Sequence, residues 1–250
     1  MRLGTTTLSV TQPGRRRAAG VALPGGGGGL VSSLVTLNRQ SLYDAGDTNS
    51  YSGSGSYWND LDGNNGGNGV VSGAQFTSDG ASSYFTFDGV NDSHNLWANL
   101  LNFGADFTLS HWVYSTGGGT LMSNRFDHSS FQLRANKNNG KVQVLKNSIQ
   151  LLGNFPTSGG TDYVLPQNVW VNVTCQRSGN VYTLYINGAS IGSFTSTVGF
   201  FAGAKTIGAN YNNTDHWDGR IAVTLAYQRA LTAAEILQNY NFHKSRYGHP

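Results

Sequence analysis

Short segments in which large apolar residues alternate with smaller or polar ones recur along this chain, and turn-forming residues separate them. Residues 107–114 alternate in this way and carry bulky side chains on both faces, which is typical of a central strand. Residues 181–186 have the same period and end at Asn187-Gly188, a strong signal for a tight hairpin. These segments predict antiparallel sheets of short strands.

The composition supports a β-protein. The 250 residues include 34 Gly, and only 12% of the residues are charged. Gly, Ser and Asn favour turns, whereas Thr and aromatic residues favour strands. No long segment with a helical period lies between Asp44 and Arg229. We therefore expect an all-β fold, a two-sheet antiparallel sandwich of jelly-roll type.

One short helix is expected near the C-terminal end. A strand over 221–227 is followed by Thr232, which lies three residues before Glu235 and so forms a capping box. Apolar residues follow at helical spacing, beginning with Ile236. This predicts a helix over 232–241 that packs at the edge of the sandwich, in a single domain over 34–250.

Several groups of residues, in this order along the chain, resemble motifs of laminin-G-like domains. These are 41–46 with 57–63, 87–92, 107–113, 170–174 with 184–188, and 218–236. The resemblance covers about residues 41–248 and implies the concanavalin A-like lectin/glucanase fold. The segment 238–248 resembles the form found in tailed-phage virion proteins. One departure is Ala222, where many relatives carry an Asp, so an acidic group is missing.

The resemblance implies a virion structural protein, either a head decoration or a tail appendage, assembled in the host cytoplasm. Its partners would be capsid or tail subunits, in a homo-oligomeric or multi-copy assembly that touches a host surface glycan. A free carbohydrate-binding lectin module is the alternative, and a glycoside hydrolase comes third.

Residues 1–33 contain few large apolar residues and cannot bury a core alone. They form either a disordered tail or linker, or an arm that docks on a partner. The segment 5–10 is rich in residues that favour strands and could add to a partner's sheet. The Gly run at 25–29 would act as a flexible joint. The candidate docking residues are Thr5, Thr6, Thr7, Leu8, Val10, Arg15, Arg16 and Arg17.

Glycoside hydrolysis usually needs two carboxylates in one cleft. Glu235 is the only Glu in the chain, and the capping box already accounts for it. Asp60 and Asp62 have the spacing of one strand face, but Asp62-Gly63 favours a turn. We therefore expect no enzymatic activity.

Two weaker sites are suggested by residue type. Asp88, Asn91 and Asp92 supply the oxygen ligands that calcium prefers, although such residues also cap turns. A glycan could be held by amide, carboxylate and aromatic groups in one loop, although its Trp could equally fill the core. That set is Tyr211, Asn212, Asn213, Asp215, His216 and Trp217.

The net charge of +3 owes much to Arg15–Arg17, and no other basic patch suggests nucleic-acid binding. Cys175, the only cysteine, lies in the apolar run 169–175, which predicts a buried structural thiol. No apolar run is long enough to cross a membrane, and no signal peptide is expected.

Overall fold

The computed structural model describes residues 33–63, 68–96, 101–124, 130–200, 205–210 and 212–250. Fifteen strands, one α-helix and one 3-10 helix lie within these residues. The strands are β1 Arg39–Asp44, β2 Tyr57–Trp58, β3 Gly69–Ser72, β4 Gln75–Thr77, β5 Tyr84–Asp88, β6 Ser93–Leu96, β7 Phe107–Asn124, β8 Phe131–Ala135, β9 Val142–Lys146, β10 Gln150–Asn154, β11 Trp170–Ser178, β12 Val181–Ile186, β13 Ala189–Thr195, β14 Lys205–Ile207 and β15 Asp218–Tyr227. The helices are α1 Ala233–His243 and the 3-10 helix Lys244–Tyr247.

The strands form two antiparallel sheets. In sheet A, β1 and β5 pair along one edge of β15, and β4 pairs with β5. The other edge of β15 pairs with β7, and the sheet continues through β11, β12 and β13. Sheet B has the order β10-β9-β8-β7-β14-β6-β3-β2.

Strand β7 belongs to both sheets. Residues 107–114 pair with β11 in sheet A, whereas residues 119–124 pair with β8 and β14 in sheet B. The strand turns from one sheet to the other at three consecutive glycines, where Gly118 and Gly119 have φ of 83° and 114°. A Cβ on Gly119 would lie 2.2 Å from the carbonyl oxygen of His216, so the turn requires glycine there.

The inner faces of the two sheets form the main core. Val113 and Ile221 come from sheet A, and Phe131 and Leu133 come from sheet B. Trp217 precedes β15 and is fully buried in this core. Because successive residues of a strand point to opposite faces, the strand neighbours of these inward residues point to the outer face of their sheet.

A second core lies on the outer face of sheet A. Trp112 and Leu225 point away from the inter-sheet core and pack with Ile236 of α1 and with Tyr247. The ring of Tyr247 stacks on Trp112 at 4.5 Å between centroids. The C-terminal segment, residues 231–250, therefore forms a layer over sheet A.

A buried ion pair fastens the C-terminal segment to β1. Arg246 donates two hydrogen bonds of 2.6 Å to the carboxylate of Asp44. Burial alone would raise the pKa of Asp44, but the hydrogen bonds from Arg246 and the nearby ring of His243, 3.7 Å away, hold it well below the usual range. Arg246 also donates to the carbonyl oxygen of Ala81, so one side chain joins three separate parts of the chain.

The expected all-β antiparallel sandwich with a short C-terminal helix is confirmed. Thr232 is the N-cap of α1, and its capping box with Glu235 is formed. The helix ends two residues later than expected and lies over the outer face of sheet A, rather than only at an edge, because Ile236 packs on outward residues of β7 and β15. Cys175 is buried, as expected. Residues 1–32 of the arm expected over 1–33 lie outside the described residues, so its docking stays a prediction.

Candidate functional site

Polar side chains cross the outer face of sheet B. In β8, Phe131 and Leu133 point into the core, so Gln132 and Arg134 face outward. Residues from neighbouring strands and two loops continue this line across the sheet. We define the polar row as Thr120, Gln132, Arg134, Lys141, Gln143, Asn154, Asp162 and Asp215.

Asp215 joins a loop to one end of the polar row. Its Oδ2 accepts hydrogen bonds from Gln132 Nε2 at 2.6 Å and from Thr120 Oγ1 at 3.1 Å. Arg134 Nη1 donates to the same oxygen at 3.3 Å. The carboxylate is thus held by three strand residues that lie about eighty or more positions away in the chain.

The other end of the polar row is linked in the same way. Arg134 Nε donates to Gln143 Oε1 at 3.1 Å, and Gln143 Nε2 donates to Asn154 Oδ1 at 2.8 Å. Asn154 Nδ2 and Lys141 Nζ then donate to Asp162 Oδ2 at 2.9 and 2.8 Å. The amides, the carboxylates and the guanidinium are therefore held in fixed orientations.

Both ends of the polar row are partly exposed, and the Arg134–Asp215 end keeps atoms without a hydrogen-bond partner among the described residues. The side chains of Arg134 and Asp215 are 20% and 16% exposed, and those of Lys141 and Asp162 are 37% and 25% exposed. Arg134 Nη2 and Asp215 Oδ1 have no hydrogen-bond partner among the described residues. A donor and an acceptor beside each other can bind a polar molecule with several hydroxyl groups.

A second concave feature lies on the outer face of sheet A. This aromatic cleft has a volume of about 470 Å³ and is bordered by Tyr114, Tyr163, Asn168, Trp170 and Tyr247. That volume is within the range of small-molecule sites. The cleft begins where the C-terminal segment no longer covers the sheet.

Comparison with known families identifies the fold. A family model described as concanavalin A-like lectin/glucanases superfamily, Laminin_G_3, matches residues 79–237. The chain belongs to the concanavalin A-like lectin/glucanase superfamily. A search of curated proteins found no match.

Solved structures with this fold include carbohydrate-related proteins. Domain 4 of AbnA, a GH43 extracellular arabinanase of Geobacillus stearothermophilus solved with arabinotriose, is similar with a TM-score of 0.64 and 17% identity, over 81% of this chain and 98% of that chain. Trypanosoma rangeli sialidase with sialic acid has a TM-score of 0.62 and 14% identity over 87% of this chain. The binding domain of botulinum neurotoxin serotype D/C has a TM-score of 0.59 and 15% identity, over 82% of this chain and 52% of that chain.

The present chain spans only 35% of the matched sialidase chain. At sequence identities of 14% to 17%, the similarity to these three structures shows the fold alone. No helix in the described part of the chain has the length and apolar character needed to span a membrane.

The structure separates the residues of the loop predicted to hold a glycan. Asp215 joins the polar row, and Asn212 and Asn213 are exposed. Trp217 is fully buried between the sheets, so its ring is not available for stacking on a ligand. His216 is buried, with its ring nitrogens 2.9 Å from the carbonyl oxygens of Asp92 and Asn213. Tyr211 lies outside the described residues.

The three candidate calcium ligands form a capped turn. Asp88 Oδ1 accepts from the N–H groups of Val90 and Asn91, and these hydrogen bonds lower the pKa of Asp88. Asp92 Oδ2 accepts from the N–H of Asp88. Among the described residues, no group of three or more His, Cys, Asp or Glu side chains could hold a metal ion. This arrangement explains the residues without an ion, and calcium binding stays a prediction.

The carboxylates considered for hydrolysis have structural partners. Glu235 accepts from Arg229 at 2.6 and 2.8 Å, and these hydrogen bonds lower its pKa to about 2. Asp62 accepts two hydrogen bonds of 2.6 Å from Arg39. Asp60 Oδ1 accepts from the backbone N–H of Leu42 at 2.9 Å. These side chains hold the helix and the β1 region in place.

Neither the polar row nor the aromatic cleft was predicted from the sequence. A signal for the first was present, because Gln132, Arg134 and Gln143 alternate with core residues on two successive strands. That alternation does not indicate which loop supplies a carboxylate to the row. Asp215 is distant in the sequence and reaches the row only through the fold.

Proposed function

We propose that this protein is a carbohydrate-binding module that holds its ligand on the polar row of sheet B. The observation that carries the proposal is the pairing of Arg134 and Asp215, two partly exposed side chains that each keep an atom with no hydrogen-bond partner among the described residues. Sugars are recognised by fixed amide, carboxylate and guanidinium groups, and the polar row contains all three. The arabinotriose and sialic acid complexes of similar structures support this choice of ligand class.

Fixed geometry favours binding. Each side chain in the polar row is held by a neighbour, so little conformational entropy is lost when a ligand arrives. We propose binding without hydrolysis, because the only Glu caps α1 and the Asp60–Asp62 pair supports the β1 region.

Display on a particle is the more specific role that we propose. The chain enters the domain beside α1, where Gln238 Nε2 donates to the carbonyl of Ser33 at 3.0 Å and Asn239 Oδ1 accepts from the N–H of Val35 at 2.9 Å. This entry point lies on the sheet A side, opposite the polar row. If the N-terminal residues attach the domain to a particle, for example to a tailed-phage capsid or tail, sheet B would therefore point away from the particle.

The binding proposal is tested by a glycan array followed by calorimetry, with arabinotriose as the first ligand. Arg134→Gln and Asp215→Asn should each weaken the binding at least tenfold. Lys244→Gln, on the opposite side of the sandwich, removes one positive charge as a matched control and should leave the affinity unchanged. Equal affinity in all four proteins, or no binding to any glycan, would overturn the proposal.

The display role has a separate test. The protein lacking residues 1–24 should remain folded and still bind the glycan, but it should fail to join the particle. Normal assembly of the truncated protein would exclude a docking role for the arm while leaving the binding proposal intact.

A further inference from the structure

An arginine stacks on two tyrosines across the outer face of sheet A. Arg220 lies in β15, and its register partner in β7 is Tyr114, whose own partner in β11 is Trp170. The guanidinium carbon of Arg220 lies 4.5 Å from the ring centroid of Tyr114 and 4.7 Å from that of Tyr84. Both distances are within the range of cation–π contacts.

The stacking fixes the guanidinium but does not satisfy it. Its N–H groups point outward in the plane of the group, so they stay available while rings contact its faces. Within the described ranges, no carboxylate or carbonyl oxygen accepts a hydrogen bond from the side chain of Arg220. Arg220 is partly exposed, and a planar guanidinium in this state suits a two-pronged contact with a carboxylate.

We define the Arg220 cluster as Arg220, Tyr84, Tyr114 and Trp170, and the last two of these also border the aromatic cleft. Tyr114 borders the cleft and also contacts Arg220, and Trp170 lies 5.6 Å from Tyr84 and 5.8 Å from Tyr114 between ring centroids. All four side chains of this cluster are only partly buried. Arg220 itself does not line the cleft but lies next to it, in contact with Tyr114, and its side chain donates no hydrogen bond to any described residue.

The wall of the cleft is held in place. His249 Nε2 lies 2.9 Å from the carbonyl oxygen of Trp170, and its Nδ1 lies 3.2 Å from the hydroxyl of Tyr240. Tyr247 packs against Trp170 at 4.8 Å between centroids. Tyr247 and His249 therefore form a fixed side of the cleft.

We propose that the aromatic cleft is a second ligand site, which binds an acidic saccharide through Arg220. The sugar carboxylate pairs with the guanidinium, and an apolar face of the sugar ring stacks on Trp170 or Tyr114. Asn168, exposed at the border of the cleft, supplies an amide for ring hydroxyls. This site lies on the face opposite the polar row and does not depend on the function proposed for that row.

The charge and the shape favour this ligand over others. A neutral sugar would leave the guanidinium unpaired, and a bare anion would leave the aromatic surface of the cleft uncovered. A nucleic acid would require a wider positive surface, whereas the net charge of the chain is only +3. A carboxylate attached to a ring uses both features.

The test measures binding of a galacturonic acid trimer to the full chain by calorimetry at low salt. The galactose trimer is the uncharged counterpart, and acetate is the carboxylate without a ring. The acidic trimer should bind at least tenfold more tightly than the other two. Its affinity should fall with added salt, since the contact is partly exposed.

Two substitutions separate a specific contact from general attraction. Arg220→Gln should weaken binding of the acidic trimer at least tenfold, and Arg220→Lys should weaken it too, because lysine lacks the planar fork. Lys146→Gln, which removes one positive charge from sheet B, should leave the affinity unchanged.

Three results would overturn the proposal. The first is equal binding of the acidic and neutral trimers. The second is competition by acetate at the same concentration as the trimer, which would show a simple anion site. The third is an equal loss of affinity in Arg220→Gln and Lys146→Gln.

Trp170→Phe, which preserves an aromatic ring, should bind more weakly while its melting temperature shows that the domain remains folded.

Discussion

The outer faces of the two sheets differ in what covers them, although the strands of both sheets alternate in the same way. On sheet A, outward residues such as Trp112 and Leu225 are apolar, and the C-terminal segment buries them. On sheet B, outward residues such as Gln132 and Arg134 are polar and bond to each other. One strand pattern has thus produced an apolar face that another layer covers and a face of linked polar side chains.

The difference follows from the free energy of hydration. Apolar residues on an outer face gain stability when another layer removes them from water. Polar residues lose their hydration when covered, so they remain near the surface or bond to one another. The aromatic cleft lies at the boundary of the two situations, where the covering layer on sheet A ends.

The largest expected effect is in the core that the two sheets share. Trp217→Ala removes a fully buried ring and should lower the free energy of unfolding by about 4 kcal/mol. Urea denaturation measures this change. Trp170→Ala, on the partly exposed outer face of sheet A, is the comparison and should cost clearly less. Equal costs would mean that the two faces of sheet A contribute alike.

The attachment of the C-terminal layer gives the next effect. Arg246→Met leaves Asp44 buried without its ion partner and should lower the free energy of unfolding by about 3 kcal/mol. The double variant Asp44→Asn with Arg246→Met should recover part of this loss, because no unpaired charge remains. Hydrogen exchange should show faster opening of α1 than of β7. Uniform destabilisation of both elements would show that the layer cannot separate from the sandwich.

Lowering the pH should reduce the free energy of unfolding in two stages. Burial lowers the pKa of His94 and of His111 to about 3. Below about pH 6.5 the unfolded chain therefore binds more protons than the folded protein, and the free energy of unfolding decreases as the pH is lowered. The pKa of Asp44 is also depressed, so its contribution is present above about pH 4 and is lost as pH falls further. Melting temperatures from pH 7 down to about pH 2 measure the first stage and the beginning of the second. Asp44→Asn should reduce only the second stage, to which Glu235 and Asp88 also contribute, and an unchanged curve for that variant would contradict the role of the ion pair.

The smallest expected effect concerns the start of α1. Thr232→Ala removes the N-cap and should cost about 1 kcal/mol, because the backbone N–H of Glu235 loses its acceptor. Thermal denaturation is sufficient to measure it. Thr232→Ser keeps a hydroxyl and is the control that should retain most of the stability. A cost equal to that of Arg246→Met would indicate that the cap, rather than the ion pair, holds the layer.

Local patterns in the sequence were sufficient for most of the elements. The strand at 107–114, the hairpin at Asn187-Gly188 and the capping box of Thr232 depend on residues close together in the chain, and the structure contains all three. The full length of β7 was not predicted, because the turn at Gly117–Gly119 looks like a loop in the sequence. The strand continues there only because sheet B supplies partners for residues 119–124.

The sequence by itself determined which residues alternate, where the helix begins and that the chain forms an antiparallel sandwich, because these properties depend on neighbours within a few positions. Only the tertiary structure decided that Trp217 fills the core, that Asp215 completes the polar row and that Arg220 stacks beside the aromatic cleft. Alternation assigns a residue to one of two faces. It does not indicate which face another layer will cover, because that depends on segments distant in the chain that meet only when the sheets close.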